Sequence, residues 1–129
     1  MTDANRRHLY DAYYSMMQLR LNNPAVFNNT TFNYDFFNGG GLVKLLQIAD
    51  PNPTGVKVTV IANLDVIAKN YTVTFQSTGS WSNYISNGTG SGLNGATGST
   101  FNLATTTQNI TLQAGEYHIY LSGCSTPAP

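Results

Sequence analysis

The chain has 129 residues, the size of one domain that buries roughly two-thirds of its unfolded surface. Charged residues make up 9%, six of each sign, so the formal net charge is zero. No basic field exists to attract phosphates, which argues against nucleic acid and anionic membrane as partners, and a single cysteine excludes an intrachain disulfide.

Residues 3–22, "DANRRHLYDAYYSMMQLRLN", predict a helix, with Asp3 or Thr2 as N-cap and Pro24 just past its end. At about 100° per residue, Leu9, Tyr13 and Met16 form one apolar stripe, which Ala12 and Leu19 extend. Tyr10, Tyr14, Met17 and Leu21 form a second stripe. The apolar arc is roughly 220° wide, twice the ~100° that one supporting surface requires. Such a helix is built to be covered from two directions. The β-rich remainder can cover one side, and a body outside this chain is expected to cover the other. In isolation, an uncovered stripe predicts helix-mediated dimerisation.

After Pro24 the pattern changes to short period-2 runs. "FNNTTFNYDFFNGGG" holds aromatic runs and a triple-glycine turn at 39–41. "LVKLLQIA" (42–49) is apolar on both faces, as in a central strand. "DPNPTG" (50–55) is a turn. "VKVTVIAN" (56–63) places Val56, Val58 and Val60 on one face, and "YTVTF" (71–75) places Tyr71, Val73 and Phe75 inward. "SWSNYIS" (80–86) and "TFNLA" (100–104) are further strands, separated by a low-complexity loop, "NGTGSGLNGATGS" (87–99), read as flexible. "ITLQAGEYHIYLSG" (110–123) reads as a β-hairpin turning at Ala114-Gly115. The fold class is thus mainly β: an antiparallel sandwich of about seven or eight strands with one N-terminal helix. The division is helix 1–24, sandwich 25–123 and tail 124–129.

The six acids, Asp3, Asp11, Asp35, Asp50, Asp65 and Glu116, fall at unrelated turns and termini. A glycosidase needs two carboxylates facing one bond, and no such pair is legible. His8 and His118 read as solvated, and with Cys124 in the tail they make no metal-ligand spacing, so no metal or cofactor is expected. Trp81 and Tyr84 have two readings: core aromatics closing one end of the sandwich, or a surface platform that stacks on sugar rings. No run of ~18 apolar residues occurs, and no signal peptide is visible at the N-terminus. The Asn- and Thr-rich, uncharged composition predicts an extracellular or cell-surface location, with the export signal on sequence outside this chain.

The order of these pieces resembles the C-terminal end of bacterial α-amylases of glycoside hydrolase family 13. "RRHLYDAYYSMMQLRLNNPAV" is similar to the last helix of the catalytic (β/α)8 barrel, including its leucine-arginine and asparagine-proline-alanine ending. The strands resemble the appended β-sandwich, domain C. There a strand ends in Asn (Asn63), a G-x-W segment follows (Gly79-Ser80-Trp81), and an L-x-x-G-E-Y segment (Leu112 to Tyr117) closes the fold. Residues 5–122 take part. Ala114 stands where such enzymes often carry Pro, and the glycine-rich 87–99 loop is a second departure. The family's nucleophile, acid/base and third carboxylate lie on earlier barrel strands, so no catalytic residue carries over. The resemblance implies a non-catalytic accessory domain of a secreted, starch-degrading enzyme. The missing barrel would be its partner, on Tyr10, Tyr14, Met17 and Leu21. A starch-binding module using Trp81 and Tyr84, and an unrelated adhesion-type sandwich, are the alternatives.

Overall fold

The computed structural model describes residues 3–28, 32–35 and 41–123. Cys124 and the tail, and most of the triple-glycine turn, lie outside them.

Helix α1 spans Ala4–Asn22 and a single turn, α2, spans Pro24–Phe27. Asp3 caps α1 by accepting a hydrogen bond from the Asn5 N–H at 2.9 Å, and Pro24 occupies the first turn of α2, where its missing N–H costs nothing. Among the described residues eight strands follow: β1 Phe32–Asp35, β2 Val43–Ala49, β3 Lys57–Asn63, β4 Lys69–Thr74, β5 Gly79–Ser86, β6 Thr100–Leu103, β7 Thr107–Leu112 and β8 Tyr117–Ser122. All pair antiparallel. Six form one sheet in the order β1-β2-β3-β8-β5-β6, and β4-β7 form a second.

The large sheet is covered on both faces. Toward the small sheet, Val43, Leu45, Ile61, Trp81, Leu103 and Tyr120 meet Tyr71, Val73, Phe75, Ile110 and Leu112. Toward the helices, Val58, Tyr84, Ile85 and Leu121 meet Leu19 and Val26. The molecule therefore has three layers: helices, six-stranded sheet, two-stranded sheet. The period-2 pattern explains the alternation. Ile48, Val58 and Leu121 stand in register on adjacent strands and form one row under the helices.

Residues 110–123 are not a hairpin. β7 pairs with β4 in one sheet and β8 with β3 and β5 in the other, so the segment arches from one layer to the next. The turn is closed by the Glu116 N–H donating to the Gln113 carbonyl at 3.0 Å. Gly115 has φ +71°, and among the described residues no non-glycine, Ala114 included, has a positive φ. That pattern excludes the I′ and II′ turns that match the twist of paired strands and fits type II, which splays them.

The helix also sits differently from expectation. Its buried residues are Ser15 and Leu19, with Ala12 half-buried, and the Tyr84 hydroxyl donates to the Ser15 carbonyl at 3.1 Å. Both predicted stripes face away. Leu9, Tyr10, Tyr13, Tyr14, Met16, Met17 and Leu21 are all between 41% and 70% exposed. At about 100° per residue they form one continuous arc of roughly 160°, opposite the docked face. The small residues Ala12 and Ser15, with Leu19, let the helix lie close to Tyr84, and the other bulky ones are left outside.

Candidate functional site

Trp81 and Tyr84 do not form a sugar platform. Trp81 is 1% exposed, its indole N–H donates to the Ser77 carbonyl at 3.1 Å, and its ring meets Phe75 edge-on at 4.9 Å. Tyr84 lies under α1. Three residues apart on one strand, they fall on opposite faces of the large sheet by simple alternation, and the bulge between Asn83 and Ile85 brings Ile85 onto Tyr84's side. With both faces covered, neither ring reaches solvent. The core reading of Trp81 holds.

The titratable residues are placed locally. Asp3 caps α1, Asp50 accepts the Asn52 N–H within its turn, and Asp65 pairs with Lys69 at 2.9 Å. The Lys69 hydrogen bond holds the Asp65 carboxyl below the usual range. Among the described residues no group of three His, Cys, Asp or Glu side chains is placed to hold a metal.

His118 and Glu116 depart from the sequence reading. His118 is fully buried, on the face of β8 that meets the small sheet, and its ring stacks on Tyr120 at 5.2 Å. The inference that it is solvated fails because it assumed an open face on β8. Its Nε2 lies 2.8 Å from Glu116 Oε1, and its Nδ1 lies 2.8 Å from Ser86 Oγ and 2.9 Å from Asn83 Oδ1. Glu116, 6% exposed, also accepts from Asn94 Nδ2 at 2.9 Å on Oε1 and from the Gln113 N–H at 2.6 Å on Oε2. Burial alone would raise the Glu116 pKa. The bonds from Asn94, Gln113 and His118 outweigh it and hold the carboxyl ionised, below its usual range. Burial pushes the His118 pKa down, and the Glu116 bond and charge only partly restore it. With its pKa lowered the ring is neutral at pH 7 and Nε2–H donates to Glu116; Nδ1 faces both the Ser86 hydroxyl, which can donate to it, and the Asn83 side-chain carbonyl, which cannot.

Ser86, His118 and Glu116 have the composition of a hydrolase triad without its working geometry. The imidazole has no access to solvent. Ser86 Oγ accepts the Gly88 N–H at 2.8 Å, and Gly88 is packed over the pair. A Cβ on Gly88 would lie 2.7 Å from His118 Cε1 and 2.6 Å from the Asn94 carbonyl. Only glycine lets the loop close so tightly. The cluster's work is to pin the 87–99 loop to the β7–β8 arch. That loop is folded, with a 3-10 turn at Gly92–Asn94 and the Gly90 N–H bonded to the Asn94 carbonyl at 2.8 Å. Against it lies a cleft of about 450 Å³ lined by Asn87, Gly88, Thr89, Gly90, Asn94, Thr111, Gln113, Ala114 and Glu116.

Both buried groups make stability rise with pH. The folded His118 pKa is below its ordinary 6.5, so below pH about 6.5 the unfolded chain binds the proton that the fold refuses. Glu116, depressed from 4.5, stabilises the fold above that pH and stops doing so as pH falls through its folded pKa. Urea midpoints should therefore fall from pH 7 to pH 5. His118→Gln should flatten that first decline; an unchanged slope would remove His118 as its source.

Compared with known proteins, the chain matches no family model and no curated sequence. Asn63, the last residue of β3, is fully buried. Its Nδ2 donates to the carbonyls of Ile67, Leu112 and Gln113 at 2.9, 3.2 and 3.0 Å, tying the end of β3 to the arch. An Asn at a strand end was the only sequence signal for this role.

Proposed function

We propose that the chain is a non-catalytic accessory domain of an α-amylase-like glycoside hydrolase, seated on the enzyme's catalytic barrel through α1. One observation carries the reading: the helix presents most of its large apolar side chains outward and docks on the sandwich through Ala12, Ser15 and Leu19. A domain that works alone gains nothing from seven large apolar side chains on its outermost layer, and a patch of that size marks a docking surface. A free adhesion-type sandwich has no use for it. The sheet supports the same side. The Leu64 N–H donates to the Leu42 carbonyl at 2.8 Å, extending the β2–β3 register by one step, and both side chains are exposed on the helix-facing side. The resemblance of the helix and of the Asn63, Gly-x-Trp and Gly-Glu-Tyr segments to family 13 enzymes names the partner. In this reading Tyr10, Tyr14, Met17 and Leu21 contact the barrel, α-glucan is the parent's substrate, and the parent is exported.

Two measurements test it. The chain alone should not hydrolyse starch; turnover that survives repurification and is lost with a single Asp or Glu substitution would overturn the reading. Replacing Tyr10, Tyr14 and Met17 by Glu should leave a folded domain and abolish any self-association seen by sedimentation. Unfolding of that variant would place those residues in the core and remove the argument for a docking surface.

A further inference from the structure

We propose that the cleft between the 87–99 loop and the β7–β8 arch binds a neutral, hydroxyl-rich ligand, a saccharide unit. The inference rests on the reading above only in ranking α-glucan first; the class of ligand follows from the cleft itself. Its volume, about 450 Å³, is within the range of small-ligand sites. Its lining holds no Lys or Arg and one carboxylate, that of Glu116, which disfavours anions. It holds no aromatic ring, and Ala114 is its one small aliphatic side chain, so an apolar ligand would gain little. What remains is amides, hydroxyls and glycine backbone, the groups that exchange hydrogen bonds with sugar hydroxyls.

Glu116 is the anchor. Three protein donors fix its carboxylate, two on Oε1 and one on Oε2. A carboxylate has about four acceptor positions, so one on Oε2 is left, held in place before any ligand arrives. A hydroxyl donated there makes a charge-assisted bond, the strong kind. Thr89 and Gln113 flank it, both exposed, and neither side chain bonds to the described residues. The walls are set in advance by Gly88 against His118 and by Gly90 against Asn94, so little ordering cost remains on binding. Thr111 links the cleft to the outer face of the small sheet. There Thr111 Oγ1 donates to Asn70 Oδ1 and Thr72 Oγ1 to Asn109 Oδ1, each at 2.6 Å, forming an exposed, uncharged ladder along which a longer glycan could continue.

The test is a titration of the isotope-labelled chain, followed by its backbone amide NMR signals, with maltotriose, cellotriose and inorganic phosphate in turn. Saturable shifts at Thr89, Gly90, Asn94 and Gln113 with a trisaccharide, and none with phosphate, are expected. Thr89→Ala/Gln113→Ala, which removes no bond of the fold, should weaken that binding about tenfold. Cellotriose binding without maltotriose binding would uphold the cleft and count against the α-glucan reading. Silence with both trisaccharides, or shifts that lie elsewhere, overturns the cleft proposal and leaves the docking role of the helix untouched.

Discussion

Trp81→Ala is expected to destabilise the fold by about 3–5 kcal/mol, the cost of removing a large buried aromatic and leaving a cavity. For a chain of this length that corresponds to a fall in melting temperature of roughly 10–18 °C. Trp81 fills the space between the sheets, with Phe75 edge-on at 4.9 Å and Phe75 in turn 5.3 Å from Tyr120. Those rings are close-packed and bonded at their polar ends: the Trp81 indole to Ser77, the Tyr120 hydroxyl to the Leu93 carbonyl at 2.7 Å. The surroundings cannot collapse into the gap without breaking these bonds, which places the cost at the upper part of that range. Urea denaturation of wild type and variant measures it. A loss below about 1 kcal/mol would mean that Trp81 is not core.

Glu116→Ala should also be damaging, by about 1–3 kcal/mol, for a different reason: it leaves a buried imidazole N–H without an acceptor. The substitution removes the acceptor of His118 Nε2, which is fully buried, together with the bonds from Asn94 Nδ2, which keeps the Thr111 carbonyl, and from the Gln113 N–H at the cleft. Glu116→Gln keeps an acceptor oxygen and should cost less. The diagnostic is non-additivity. Once Glu116 is gone, removing His118 deletes a group already unsatisfied, so Glu116→Ala/His118→Ala should cost clearly less than the sum of the single variants. Additive losses would show that the two residues act separately.

Much of the strand layout is legible in the sequence. Val56, Val58 and Val60 share the helix-side face, and Tyr71, Val73 and Phe75 point into the sandwich, as their spacing predicts. Asp3 caps the helix as its position before the apolar run predicts. These features are local: backbone geometry alternates side chains along a strand and repeats them every 3.6 residues in a helix.

The sequence by itself determined which residues share a face, and tertiary structure decided what covers each face. The alternation of Tyr117, Ile119 and Leu121 with Glu116, His118 and Tyr120 has the same form whether one side of β8 is wet or both are dry. Only the third layer makes His118 a buried partner of Glu116. The Ala114-Gly115 turn likewise permits a hairpin or an arch; the single positive φ, at Gly115, accompanies an arch, because the strands on either side find partners in different sheets. The helix has the same ambiguity. Its sequence specifies a wide apolar arc, yet the contact with Tyr84 selects the small residues Ala12 and Ser15, because burying an element depends on close approach as well as hydrophobicity.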